Sequence, residues 1–242
     1  MSGLDDAGDP VRLELDDDGV AVVSLHRPEK LNIYNLAMRD ALIEVFTAVA
    51  DDRAVRAMLL RADGRHFSAG ADLSEFGTAG SVLAARRIRW DRDPWVALWH
   101  LPQPTVVALH GYALGAGLEM ALLCDVRLAA PDTKVGLPET RLGMLPSAGG
   151  TQSLTRAIGR GAALPVVLGA ATLDADDAAR RGIVHRVVAD VQVEARLVAA
   201  HLAVLPPAAV QAARRALHVA GDLPLAEGLD VERRLARWAA VP

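Results

Sequence analysis

The 242-residue chain predicts an α/β fold, a layered α/β body followed by a helical tail. Strand-like runs alternate with helical spacing over the first two-thirds of the sequence, and helical spacing dominates the rest. The composition, 52% hydrophobic and only 4% aromatic with Ala, Leu and Val prevailing, suits closely packed layers. No linker, low-complexity tract or fixed-period repeat divides the chain, so one domain with a helical C-terminal extension is expected.

Taken in order, "VRLELDDDGVAVVSLHRP" (11–28) reads as two short strands around the acidic turn Asp16–Gly19, closed by Pro28. Apolar residues then recur at helical spacing from Leu36 to Val49. "VRAMLLRAD" (55–63) is a strand of the buried type, followed by the loop "GRHFSAGAD". Residues 81–100 read as helical until Pro102 and Pro104 break the chain. "TVVALHG" (105–111) is a core strand that feeds the glycine-rich entry to a helix carrying Glu119. Strand-like pieces follow at Val126–Ala130 and Lys134–Gly136. Beyond "PSAGGTQ" (146–152) the chain reads as mostly helical, with a short strand near Ile183–Val188.

Bulk properties narrow the function. A net charge of −4 gives no basis for a nucleic-acid surface. Arg86, Arg87 and Arg89 form a local basic cluster, read as a solvated helix face or a phosphate contact. The N-terminal "MSGLDDAGDP" is acidic and lacks the apolar region of a secretory signal, and no uncharged run reaches membrane-spanning length. A soluble, cytoplasmic protein with no membrane partner is the expectation. Cys124 is the only cysteine, expected as a small core residue, and it allows no intrachain disulfide. The seven His residues show no HxH or HExxH spacing, so no metal site is expected. Neither Ser68 nor Ser147 lies in GxSxG, which argues against a serine hydrolase.

The chemistry centres on "GYALGAGLEMALLCDVRLAA" (111–130), where Glu119 falls in an otherwise small and oily helix. Gly115 and Gly117 allow a ligand to approach the backbone without Cβ obstruction. A helix start carries unpartnered N–H groups and the positive dipole end, which favour a charged Glu119, whereas burial disfavours it. The residue is therefore either a general acid–base group or an early-helix Glu bonded to the backbone. "GYALGAG" lacks the GxGxxG spacing, so a dinucleotide fold is not supported. The loop "RHFSAGADL" (65–73) offers a second set of open amides at Ala69, Gly70 and Ala71, giving either half of an oxyanion hole or an ordinary tight turn. Glu139, 20 residues after Glu119, opens the segment "PETRLGMLPSAGGTQ" and reads as an acid–base partner or a surface cap. Asp72 and Asp125 read as caps, and Trp90, Trp95 and Trp99 as core or pocket wall.

The blocks "RPEKLN", "FSAGADLSEF", "GYALGAGLEMALLCD", "LPETRLGMLPSAGGTQSLTRAIG" and "LDADDAARRGIVHRVV" resemble, in order and spacing, the enoyl-CoA hydratase/isomerase (crotonase) family over roughly residues 11–220. The resemblance implies a spiral of ββα units over residues 1–190 carrying the active site, with a helical region at 191–242 for trimerisation and site cover. It implies a homotrimer or dimer of trimers acting on acyl-CoA thioesters in fatty acid metabolism and β-oxidation. Coenzyme A would be part of the substrate, with no cofactor. The thioester oxygen would be held by the N–H groups of Ala71 and Ala116, within a binding surface of Ala69, Gly70, Asp72, Leu73, Gly115 and Gly117. Glu119 and Glu139 match the catalytic pair of the hydratase branch. The implied reaction adds water across C2=C3 of a 2-enoyl-CoA to give 3-hydroxyacyl-CoA, with Glu119 as the main base and Glu139 as proton donor. A Δ3,Δ2-enoyl-CoA isomerase and a non-catalytic acyl-CoA-binding homologue are the alternatives.

Three departures from the family pattern bear on binding. Ser74 stands where many relatives carry Lys, and Ser147 replaces a common Gly. The chain stops at "ERRLARWAAVP", short of a last helical stretch, which is expected to affect site closure, CoA affinity and assembly.

Overall fold

A computed structural model describes residues 8–239, with the side chains at 85 and 88–90 outside the description. The body is a six-stranded sheet built from β1 (Val11–Leu15), β2 (Val20–Leu25), β3 (Ala57–Ala62), β4 (Thr105–Leu109), β6 (Val126–Ala129) and β9 (Arg186–Val187), in that spatial order. Only β1 runs antiparallel to its neighbour, through the predicted hairpin at Asp16–Gly19. Parallel strands covered on both faces need apolar side chains at every position. Accordingly Ala21, Val23, Met58, Leu60, Val107 and Leu109 enter one core, and Val20, Val22, Leu59, Val106 and Ala108 enter another on the opposite face.

Helix α1 (Leu36–Asp51) lays Met38, Leu42, Val45, Phe46 and Val49 on the first core. It starts at Asn35, whose side chain accepts from the Met38 N–H at 3.0 Å. The second core is closed by α7 (Val191–Ala203), which buries Val191, Ala195, Ala199 and Ala203 at four-residue intervals. The three alanines of that stripe let the helix lie close to the sheet.

Residues 81–100 form two helices, not one. Asp93 accepts from the N–H groups of Trp95 and Val96, and Pro94 opens a new helix, so α2 (Val82–Trp90) ends before α3 (Pro94–Trp99) begins. Trp95 is buried and packs edge-on to Tyr34 at 4.6 Å, whereas Trp99 is half-buried and stacks on His218. The side chain of Trp90, expected in the same wall, lies outside the described residues.

A second, three-stranded sheet of β5 (Tyr112–Leu114), β7 (Lys134–Gly136) and β8 (Thr172–Asp174) stands beside the first. Between β5 and β6 runs α4 (Ala116–Leu122), with every residue buried. After β7 come α5 (Gly150–Val167), which breaks its helical geometry at Gly159, and α6 (Ala175–Arg181). The tail ends in α8 (Pro207–Ala220) and α9 (Leu225–Ala239), packed on each other.

Asp125 is not the helix cap expected of it. It accepts from the Thr105 N–H and hydroxyl and is paired with Arg214 at 2.7 Å and His218 at 3.3 Å. It thereby docks α8 onto the end of the α4 segment. Cys124, next to it, is buried, and burial pushes its thiol up to about 12, as suits an inert core residue. No single helix among the described residues is long and apolar enough to cross a membrane.

Candidate active site

The loop after β3 and the entry to α4 meet back to back. Ser68 N–H donates to the Tyr112 carbonyl at 2.8 Å, and Leu114 N–H donates to the Ser68 carbonyl at 3.0 Å, so the loop runs alongside β5. Phe67, fully buried, pins the start of the loop, an anchor whose truncation to Ala typically costs about 3–5 kcal/mol. Glycine is needed where the loops touch. A Cβ on Gly70 would sit 3.3 Å from the Leu114 carbonyl oxygen, and one on Gly117 only 2.7 Å from Ser68 Cβ.

The backbone donors of this loop are almost all consumed within the fold. Ala69 N–H donates to Leu31 O at 3.0 Å, Gly70 N–H to Ser68 Oγ at 3.2 Å, and Asp72 N–H to Tyr34 O at 2.8 Å. The Ala71 N–H has no acceptor among the described residues and is the one donor between 68 and 72 left for a ligand. On the facing side Gly115 N–H is spent on Gly136 O at 2.9 Å. Ala116 is the first residue of α4, so its N–H has no helical partner. Of the amides predicted from sequence to line the site, Ala71 and Ala116 are thus open, with Gly117 in the same first turn of α4, while those of Ala69, Gly70 and Gly115 shape the loops. Asp72 caps the short turn Leu73–Glu75, accepting from the Ser74 N–H and hydroxyl, which hold its carboxyl below the usual range. Leu73 is half exposed beside it, and Ser147 is exposed in the turn before α5.

The two glutamates border the same helix start. Parallel pairing of β5 with β7 sets Leu114 against Gly136, so the chain leaving β7 passes Gly115 and brings Glu139 alongside it. A Cβ on Gly115 would lie 2.7 Å from Glu139 Oε1, and the φ of 51° at that position favours glycine in any case. Glu119 lies one turn into α4, its N–H donating to Gly115 O at 2.9 Å. Its side chain is 3% exposed, and Oε1 accepts from the N–H groups of Ala148 and Gly150, both at 2.9 Å. Two N–H donors on one oxygen match a carboxylate.

Glu139 has the opposite surroundings. It is half-buried, its Oε2 is enclosed without a partner among the described residues, and burial raises its carboxyl above the ordinary value. Carboxyls whose environments favour opposite protonation states are what acid–base chemistry near neutral pH requires. The Ala148 and Gly150 donors were not identified from the sequence. The signal available was the Ala-Gly-Gly run before α5, where small residues permit close approach to a buried acid. Among the described residues, no group of three or more His, Cys, Asp and Glu side chains is arranged to hold a metal.

The chain belongs to the enoyl-CoA hydratase/isomerase family, whose model matches residues 16–239. It is 38% identical over 218 residues to the 2,3-dehydroadipyl-CoA hydratase of Escherichia coli, covering 89% of this chain and 85% of the relative. It is also 38% identical to a Mycobacterium tuberculosis protein named "Probable enoyl-CoA hydratase echA8", covering 90% and 85% of the two chains. The crystal structure of an enoyl-CoA hydratase from Bacillus anthracis matches with a TM-score of 0.89 at 31% identity, covering 94% of this chain and 90% of that one. The fold is that of the crotonase enzymes, as the sequence resemblance implied.

Proposed function

We propose that the protein is a 2-enoyl-CoA hydratase that adds water across C2=C3 to give a 3-hydroxyacyl-CoA. The observation that carries this reading is the placement of both glutamates at the start of α4, one held by N–H donors and one in an enclosed, proton-retaining environment. A thioester conjugated to C2=C3 is electrophilic at C3, and attack there builds negative charge on the carbonyl oxygen. The N–H groups of Ala71 and Ala116 stabilise that charge, and loss of one such donor typically costs about 3 kcal/mol of barrier. Glu119, matched to the carboxylate form, takes a proton from the attacking water. Glu139, biased toward its protonated form, delivers a proton to C2.

The same reading includes an acyl-CoA substrate with no separate cofactor or metal, a cytoplasmic location, and a role in fatty acid breakdown. It includes assembly as a homotrimer or a dimer of trimers. Support for assembly comes from α9, which buries none of its residues and exposes Leu225, Leu229 and Trp238. The functional test is loss of conjugated-thioester absorbance with crotonyl-CoA. Turnover supports hydration. Double-bond migration from a 3-enoyl-CoA without hydration would favour the isomerase, and saturable acyl-CoA binding with no turnover would favour a binding homologue.

A further inference from the structure

A side chain outside the reacting groups bonds to Gly70, the residue that precedes the open Ala71 N–H. Ser68 is 2% exposed, and its Oγ donates to Asn32 O at 2.8 Å while accepting from Gly70 N–H at 3.2 Å. The backbone of Ser68 is fixed by β5 on both sides, through Tyr112 O and Leu114 N–H. Asn32 is fixed as well. It is fully buried with φ at 50°, and its side chain accepts from Arg27 N–H at 2.7 Å and donates to Asp63 O at 2.8 Å and His66 O at 2.9 Å. The hydroxyl therefore spans two immobile points.

Gly70 is the residue whose freedom matters. Its φ of 103° is open to glycine and disfavoured for other residues. The peptide plane joining Gly70 to Ala71 carries both the Gly70 carbonyl and the Ala71 N–H, and that plane is rigid. The Gly70 carbonyl accepts from Tyr34 N–H at 2.8 Å, which holds one end of the residue. The bond from Gly70 N–H to Ser68 Oγ holds the other. With both ends held, the φ and ψ of Gly70 are determined, and so is the direction of the Ala71 N–H.

We infer that Ser68 is a positioning residue for the proposed reaction: its hydroxyl, bridging Asn32 O and Gly70 N–H, locks Gly70 and so aims the Ala71 N–H at the thioester oxygen. The inference rests on the hydratase reading above. Serine suits the position because it donates and accepts at once in a space with no room to spare. Gly117 packs so closely on Ser68 that a Cβ there would fall 2.7 Å from Ser68 Cβ. Alanine can make neither bond, and cysteine keeps the shape with a larger atom that bonds weakly.

The test compares the wild type with Ser68→Ala and Ser68→Cys in two measurements. The first is steady-state hydration of crotonyl-CoA, where Ser68→Ala is expected to lower kcat about tenfold, the scale of one hydrogen bond, with KM within about twofold. The second is the carbonyl stretch of bound [1-13C]butyryl-CoA, a saturated thioester that cannot be hydrated. Binding to the wild type should lower that frequency relative to free thioester, Ser68→Ala should lose much of the shift, and Ser68→Cys should fall between. The readout is independent of turnover and does not respond to a general loss of stability. An unchanged shift in Ser68→Ala overturns the inference whatever happens to kcat, and Ser68→Cys decides the matter in the same way if the alanine variant fails to fold. No shift in the wild type would overturn the hydratase reading and this inference together.

Discussion

Replacing Gly150 by Ala tests how tightly Glu119 must be held. The backbone there is not left-handed, so alanine is sterically allowed by φ, and in a helix it would ordinarily stabilise by up to about 1 kcal/mol. The surroundings reverse that expectation. The added Cβ would lie 2.8 Å from Glu119 Oε1, 2.9 Å from Pro146 Cβ and 3.0 Å from Glu119 Cγ. The proline ring cannot yield, so the carboxylate must retreat. Ordinary contact begins at 3.4 Å, which requires a movement of about 0.6 Å and stretches the bonds from Ala148 and Gly150 N–H. Misplacement of a catalytic group by 1 Å costs on the order of 100-fold in rate, so a 10- to 30-fold fall in kcat is expected, roughly in proportion to the shift. Overpacking costs about 1–3 kcal/mol and outweighs the helix gain, so the variant should also be slightly less stable. The assay is crotonyl-CoA hydration followed by absorbance, with urea denaturation alongside. A kcat within twofold of wild type, in a variant that shows the stability loss, would refute the claim that these bonds set the base.

Three further outcomes follow from the same geometry. Glu139→Gln should lower kcat by about 10²–10⁴-fold while acyl-CoA still binds, measured by turnover and by calorimetric titration. Burial raises the Glu139 carboxyl, so its stabilising contribution is complete below about pH 4.3, the unfolded value, and is lost as pH rises through the raised folded value. Wild type should therefore lose stability relative to Glu139→Gln across that window in urea titrations. A difference that stays constant with pH would contradict the burial argument. Arg214→Ala leaves Asp125 only partly compensated and undocks α8, so unfolding free energy should fall by about 3 kcal/mol with little change in the local acid–base pair.

Much of the body was readable because burial on both faces writes itself into the strands. β2, β3 and β4 are runs of apolar residues that fit no exposed element, and α1 announces itself by spacing and by Asn35. The three-residue strands β5 and β8 were not anticipated, since strands that short carry too few side chains to show a period. The split between α2 and α3 was signalled by Asp93-Pro94 but masked by the apolar residues on either side. Glu119 and Glu139 stood out as acids in apolar, glycine-bracketed surroundings. That both border the start of α4 was not derivable from spacing, because it depends on which strands pair. The donors that hold Glu119 are backbone groups, and residue identity says little about backbone direction. Asp125 was misread for a related reason, as its partners Arg214 and His218 lie 89 and 93 residues away.

The central claim is that Glu119 activates a water for attack at C3 while Glu139 protonates C2, beside a polarised thioester. Its most direct measurement is mass spectrometry of the product formed from crotonyl-CoA in 18O-labelled water. The account predicts one solvent oxygen at C3 of the hydroxyacyl product, with formation slowed at least about 10²-fold in either glutamate-to-glutamine variant. Turnover that leaves the product free of solvent oxygen, or hydration that survives loss of both carboxyls, would contradict it.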